Sequence, residues 1–209
     1  MLNKPFRAVY SVIRRLQYNK IKLAEDGFFH IKYKNKDILL EKSAQPFEIY
    51  EQFFSRNPYI RLKVQNKIVV DIGGGVADTA ILFMIDHAKR VYAFEPDPKR
   101  YYAARKNIKL NKIKDVYIIN KGVKNLEDIN NYSKAKRMVL KSDCEGAEHA
   151  IFKNSTKKAF ERYDEIIMEF HNGYLDIKEI LEEAGFYVTH TFSPYYSADL
   201  NGILFAYRK

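Results

Sequence analysis

Apolar positions set two different rhythms along this chain. From Phe6 through Val9, Tyr10, Ile13 and Leu16 they recur every three or four residues, with Lys4, Arg7, Arg14, Arg15 and Lys20 between them. That spacing predicts an amphipathic basic helix, which either packs on a domain or touches an anionic membrane surface through residues 4–20. Phe28 to Tyr33 and Asp37 to Leu40 flank a polar tip of Lys34, Asn35 and Lys36, a hairpin pattern. A helix is expected from Gln45 to Phe54, broken by Asn57-Pro58. Residues 1–62 therefore read as an accessory extension of helix, hairpin and helix, with no Gly/Ser linker to set it apart. Residues 63–209 read as the main domain.

After Asn66 the texture becomes an alternation of β-rich runs and helical stretches. Strands are expected at Lys67–Asp71, Arg90–Glu95, Val116–Asn120, Arg137–Asp143 and Glu165–Phe170. Helical crossovers between successive strands imply a parallel sheet. Phe186–Phe192 and Gly202–Tyr207 lack such a crossover and should pair antiparallel, with Gly185 ending the helix Asp176–Ala184 before them. The connection from Lys124 to Lys136 reads as short and polar. The expected fold class is α/β: a Rossmann-like, doubly wound, mostly parallel sheet with an antiparallel C-terminal strand and a small N-terminal extension.

Composition sharpens this only in places. With 209 residues, 46% of them hydrophobic and 14% aromatic, the chain can bury one sizeable core, which excludes wholesale disorder. Thirty-six Lys and Arg against 26 Asp and Glu give +10, a surface that attracts nucleic acid, acidic glycans or anionic lipid. The single cysteine, Cys144, excludes an intramolecular disulfide and a Cys-rich zinc site and makes a cytoplasmic location the expectation. No apolar run approaches the ~18 residues a membrane span needs.

The chemistry begins at Asp71-Ile-Gly73-Gly74-Gly75-Val-Ala77-Asp78, between a hydrophobic strand and an apolar helix. Glycines there let a ligand approach the backbone. A dinucleotide is disfavoured, because the spacing G-x-G-x-x-G counted from Gly73 puts the carboxylate of Asp78 where the third glycine belongs, close to a pyrophosphate. S-adenosylmethionine carries no phosphate and has cationic sulfonium and ammonium centres, so an acidic turn suits it. Glu95, 24 residues after Asp71 at the end of the next strand, is placed to hold ribose hydroxyls.

The turn D-x-G-x-G-x-A with Glu95 after it resembles that of class I methyltransferases. Four phrases narrow the likeness: Val91-Tyr92-Ala93-Phe94-Glu95-Pro96, Asn107-Ile108 to Asn111, Ser142-Asp143-Cys144-Glu145-Gly146-Ala147-Glu148, and Ile167-Met168-Glu169-Phe170-His171. In this order, across roughly Val64 to Lys209, they resemble the FkbM-type methyltransferase family. The resemblance implies S-adenosylmethionine as donor and a hydroxyl on a saccharide, glycolipid or small metabolite as acceptor. It implies that Asp71, Gly73 and Gly75 line the methionine end, that Glu95 holds the ribose, and that Gly74 and Pro96 also belong to the cofactor site. Lys121 and Gly122 would flank the adenine, and Asp143 the pocket edge.

Methyl transfer is an in-line displacement, so alignment and exclusion of water carry much of the rate, and a general base helps a protonated acceptor. Asp143, Glu145, Glu148, Glu169 and His171 follow the fourth and fifth strands, where ligands bind in such sheets. Of these, Asp143, Glu145 and His171 are the catalytic candidates, with His171 as the leading base because imidazole titrates near neutrality. Asp143 could instead hold the methionine ammonium, Glu145 could open the next helix, and Glu148 could be a solvated helix position. Asp143, Glu169 and His171 have donor types that suit a divalent cation, but no metal is expected. Cys144, flanked by two carboxylates, is rejected as a nucleophile. Two further readings remain open. An RNA methyltransferase fits the positive charge, although no Asn-Pro-Pro-Tyr motif for amine methylation occurs. A non-catalytic binding protein would keep the fold without cofactor affinity.

Overall fold

The structure, a computed structural model, describes residues 21–54, 57–192 and 200–208. The expected basic helix, with any membrane contact through residues 4–20, lies outside the described residues. The hairpin forms as β1 (Phe28–Tyr33) and β2 (Lys36–Glu41), paired antiparallel. Lys34 and Asn35 both take positive φ, 45° and 58°, which makes a two-residue turn and lets β2 resume at Lys36, one residue earlier than expected. Helix α1 (Pro46–Phe53) follows, then a short 3-10 turn at Pro58–Arg61.

The main sheet has seven strands in the order β5-β4-β3-β6-β7-β9-β8. The strands are β3 (Ile68–Ile72), β4 (Arg90–Phe94), β5 (Val116–Ile119), β6 (Met138–Ser142), β7 (Tyr163–Phe170), β8 (Tyr187–Phe192) and β9 (Gly202–Tyr207). β3 through β7 pair parallel, and β9 pairs antiparallel with both β7 and β8. This is the doubly wound sheet the alternation predicts. Neighbouring positions on the central strands face opposite layers, so these strands read as continuous apolar runs. Val70, Ile72, Phe94, Leu140 and Met168 pack into one layer; Val69, Val91, Ala93, Val139 and Ile167 pack into the other.

Helix α2 (Asp78–Ile85) joins β3 to β4, and α3 (Pro98–Leu110) joins β4 to β5. Asp97 caps α3 by accepting from Arg100 N, with Pro98 at its first position. α2 is apolar nearly all round because the hairpin covers it: Ile81 and Leu82 pack with Phe29, Ile31, Ile38 and Leu40. Two asparagines of α3 bind that hairpin. Asn111 exchanges two hydrogen bonds with the Leu39 backbone, and Asn107 accepts from Glu41 N while donating to Val76 O. Tyr59 and Leu62 pack with Val64, Val69 and Val139.

The connection after β5 corrects the expectation of a polar link. It contains a 3-10 turn, Leu126–Asn131, whose Leu126 and Ile129 are buried against the sheet. Helices α4 (Glu148–Lys153) and α5 (Lys157–Phe160) lead into β7. Helix α6 (Leu175–Glu183) ends with Gly185 at φ 86°, as the glycine stop requires, and leads into β8.

Candidate active site

The glycine turn leaves β3 at the sheet's switch point, where β4 and β6 flank β3 on either side. Gly73 sits at φ 76°, and a Cβ there would lie 1.7 Å from Asp143 O. Only glycine fits. Gly73 N and Gly74 N both donate to Phe94 O, at 3.0 and 2.9 Å, tying the turn to β4. Gly75 N donates to Glu95 Oε2 at 2.9 Å, while Glu95 Oε1 accepts from Asp97 N at 2.8 Å. Glu95 is buried, and each carboxylate oxygen keeps a second lone pair for a hydroxyl donor. Asn120 donates to the carbonyls of Glu95 and Pro96, and Gly122 lies against Pro96. Glycine turn, Glu95, Pro96, Lys121 and Gly122 are thus brought to one side of the sheet's carboxyl edge. Lys121 itself reaches Asp128, 3.5 Å away.

Asp71 takes a different place from the ligand-lining one the resemblance implies. It is fully buried, with Lys141 Nζ 2.9 Å from Oδ1 and Thr79 donating to Oδ2 at 2.6 Å. Lys141 also donates to Gly73 O at 2.7 Å. Asp71 therefore holds the turn through Lys141 and Thr79, two residues the sequence did not single out. Burial alone would depress the Lys141 ammonium, but the carboxylates of Asp71 and Asp143 outweigh it and hold the proton firmly.

The second cluster gathers at the ends of β6 and β7. Tyr59, from the segment before β3, donates to Asp143 Oδ2 at 3.0 Å; burial and Asp143 raise its phenol pKa well above the ordinary value. Helix α4 starts at Glu148, not at Glu145, which sits in the preceding turn at φ 56° with its side chain exposed. Nor is Glu148 a solvated position. It is fully buried, accepts from Cys144 N at 2.8 Å, and faces His171 Nδ1 at 3.3 Å. Burial pulls its pKa up, but the His171 contact and the Cys144 N–H win and lower it. The same contact raises His171 to about 9 against the opposing effect of burial. A pKa raised in this way favours the imidazolium at neutral pH, which weighs against His171 as the resting base.

Glu169 behaves in the opposite way. Burial, reinforced by the Asp143 carboxylate, raises its pKa to about 7. It changes charge at neutral pH beside an imidazolium. Burial pushes the Cys144 thiol up to about 12, so it stays protonated. Among the described residues, Asp143, Glu145 and His171 place ligand atoms within 4.8 Å of one another, a set that does not include Glu169.

A family model, the TRM5/TYW2 methyltransferase domain, matches residues 49–187, from α1 into β8. The chain belongs to that family. It is a class I, S-adenosylmethionine-dependent methyltransferase, and the likeness to FkbM-type enzymes holds only at the level of that shared fold. No curated protein matches it. Among solved structures, it is similar to precorrin-6y C5,15-methyltransferase from Geobacter metallireducens, with 20% identity over 72% of this chain and 85% of the other and a TM-score of 0.53. An rRNA methylase from Streptococcus thermophilus shares 17% identity over 69% and 89%, TM-score 0.53. M. capricolum TrmK, in complex with S-adenosylhomocysteine, shares 17% over 70% and 64%, TM-score 0.56.

The family's cofactor fits this turn. Its three glycines let the turn pack closely on Asp143, Ala93 and Arg100, and a buried carboxylate that accepts from Gly75 N stands 20 residues beyond it at the end of the neighbouring strand, placed for ribose hydroxyls. Glu95→Gln should therefore weaken S-adenosylhomocysteine binding by about 2 kcal/mol, roughly thirtyfold, with little change in fold. Calorimetric titration checks this; an unchanged dissociation constant would remove Glu95 from the cofactor site. Among the described residues, no helix is long and apolar enough to cross a membrane.

Proposed function

We propose that this methyltransferase acts on RNA, with transfer RNA as the acceptor class its family suggests. The observation that carries the reading is the family-model match across residues 49–187, and the net charge of +10 supports it. In this reading the methyl donor binds across the Gly73–Gly75 turn with its ribose on Glu95. Tyr59 orients the Asp143 carboxylate at the acceptor edge, and Glu169 accepts the proton that the acceptor atom loses. His171, kept cationic by Glu148, stabilises the Glu169 carboxylate once it forms. Transfer of the methyl group to an oxygen or nitrogen acceptor leaves S-adenosylhomocysteine.

A second reading, O-methylation of a saccharide or small hydroxylated metabolite, is favoured by the cluster of Asp143, Glu145 and Glu169, because carboxylates repel a phosphodiester and suit an alcohol. The two readings separate in one experiment: transfer of labelled methyl from S-adenosylmethionine into cell extract, fractionated before and after ribonuclease. Label that ribonuclease releases from the RNA fraction is the expected result. Label confined to ribonuclease-resistant glycan, lipid or metabolite would replace RNA with the hydroxyl acceptor.

A further inference from the structure

Among the described residues, the positive charge gathers in one part of the fold. Residues 89–137 hold β4, α3, β5 and the Leu126–Asn131 turn; they contain 14 Lys and Arg and 5 Asp and Glu, giving +9. β5 forms the edge of the sheet on this side. A groove of about 770 Å³ straddles that edge strand. Tyr101, Arg105 and Lys109 of α3 form one wall, Tyr117 stands on β5, and Tyr132 follows the turn on the other side. Tyr117 is 48% exposed and stacked on Tyr92, the ring centroids 5.3 Å apart and 23° from parallel. Cations attend the rings: Arg90 lies 5.3 Å from the Tyr117 centroid and Arg105 lies 5.7 Å from that of Tyr101.

We propose that this groove binds a single-stranded stretch of the RNA acceptor, with bases stacked on Tyr117 and its tyrosine neighbours and phosphates held by Arg105 and Lys109. The proposal rests on the RNA reading above and adds a contact surface outside the methyl-transfer centre. Tyrosine faces beside cations suit unpaired bases, because every base has a π-face and every linkage a charge. A duplex buries those faces in its own stack. A membrane surface is a poorer match, since the exposed groups here are tyrosines interleaved with cations and insertion needs projecting apolar side chains. Placement favours the same occupant: β5 runs roughly 13 Å, and its carboxyl end leads to Lys121 and Gly122 at the cofactor side. A strand lying along β5 is thereby delivered toward the methyl-transfer centre.

The test uses the full chain and a fluorescein-labelled oligouridine of about 12 nucleotides, a site size within the range known for such grooves. Tyr117→Ala is expected to weaken binding about tenfold or more, and Tyr117→Phe to retain it, because stacking needs the ring and not the hydroxyl. Arg105→Glu with Lys109→Glu should weaken binding and flatten its salt dependence by about two phosphate contacts. All these variants should keep wild-type affinity for S-adenosylhomocysteine, which reports that the fold survives. If the protein methylates RNA and every variant binds the oligouridine like wild type, the groove is refuted and the RNA reading stands. If no RNA is methylated and no oligouridine is bound, both fall. Loss of phosphatidylserine-vesicle binding in the variants, with oligouridine binding intact, would overturn the proposal in favour of a lipid surface.

Discussion

Replacing Lys141 with methionine is expected to cost about 3–5 kcal/mol of folding stability, a large share of what a domain of this size possesses. The Lys141 side chain is 2% exposed and that of Asp71 is fully buried, with Nζ and Oδ1 2.9 Å apart. Methionine matches the length of lysine but leaves the Asp71 carboxylate in the core without its cation, and Gly73 O without its donor. Breaking such a pair from one side strands a charge; replacing both partners does not. Asp71→Asn combined with Lys141→Met should therefore recover most of the loss. The sign with pH follows from the raised lysine pKa: the stabilisation is complete below the unfolded value of about 10.4 and disappears only above it. The deficit of the single variant should then be constant from pH 6 to 9. Urea unfolding of the three proteins checks this, and a Lys141→Met loss under about 1 kcal/mol would mean Asp71 is not held as a charge.

Why this pair escaped the sequence reading is a matter of distance along the chain. Lys141 stands in Met-Val-Leu-Lys-Ser, where one lysine near a strand end looks like the approach to solvent. Only the parallel register of β3 and β6, which sets Asp71 beside Lys141, shows the two as partners across 70 residues. The strands themselves are legible because the central strands are buried on both faces and are mostly apolar, with Asp71 and Lys141 as buried exceptions. Glu95 was legible for a similar local reason, standing at the end of one such run after a glycine turn on another. Tyr59 was not, since it precedes the first strand of the domain and reaches Asp143 only in three dimensions. Glu148 read as a solvated helix residue because nothing within its own segment shows that His171 and the Cys144 N–H enclose it. Asn107 and Asn111 stand out as a phrase in the sequence, and the structure supplies the cause: both satisfy backbone groups of β2, which lies far upstream.

Turnover is expected to rise with pH through about 7 and to fall through about 9, with Glu169 setting the first limb and His171 the second. A general base works best when its pKa lies near the working pH, and burial with Asp143 puts Glu169 there. Below about 7 the carboxyl is protonated and cannot take the acceptor's proton. Above about 9 His171 loses the charge that its Glu148 contact sustains, and the neighbouring carboxylates lose their cation. Stability should instead fall with rising pH across both limbs, opposite to turnover on the first. A raised histidine pKa contributes stability in full below about 6.5 that is lost through about 9, and a raised carboxyl pKa likewise favours the fold below about 4.3 and loses that advantage through about 7. Glu169→Gln should lower kcat by roughly 10² to 10⁴, abolish the acid limb and leave S-adenosylhomocysteine affinity intact. His171→Gln provides a separate signature: without the imidazolium, the Glu169 carboxylate is less favoured, so the acid limb moves to higher pH. A purely structural role for His171 would reduce activity without moving that limb. Measured kcat profiles for the three proteins decide the assignment. A Glu169→Gln enzyme within threefold of wild type, with its acid limb unmoved, would take the proton away from Glu169 and return the question to Asp143, whose carboxylate is already oriented by Tyr59.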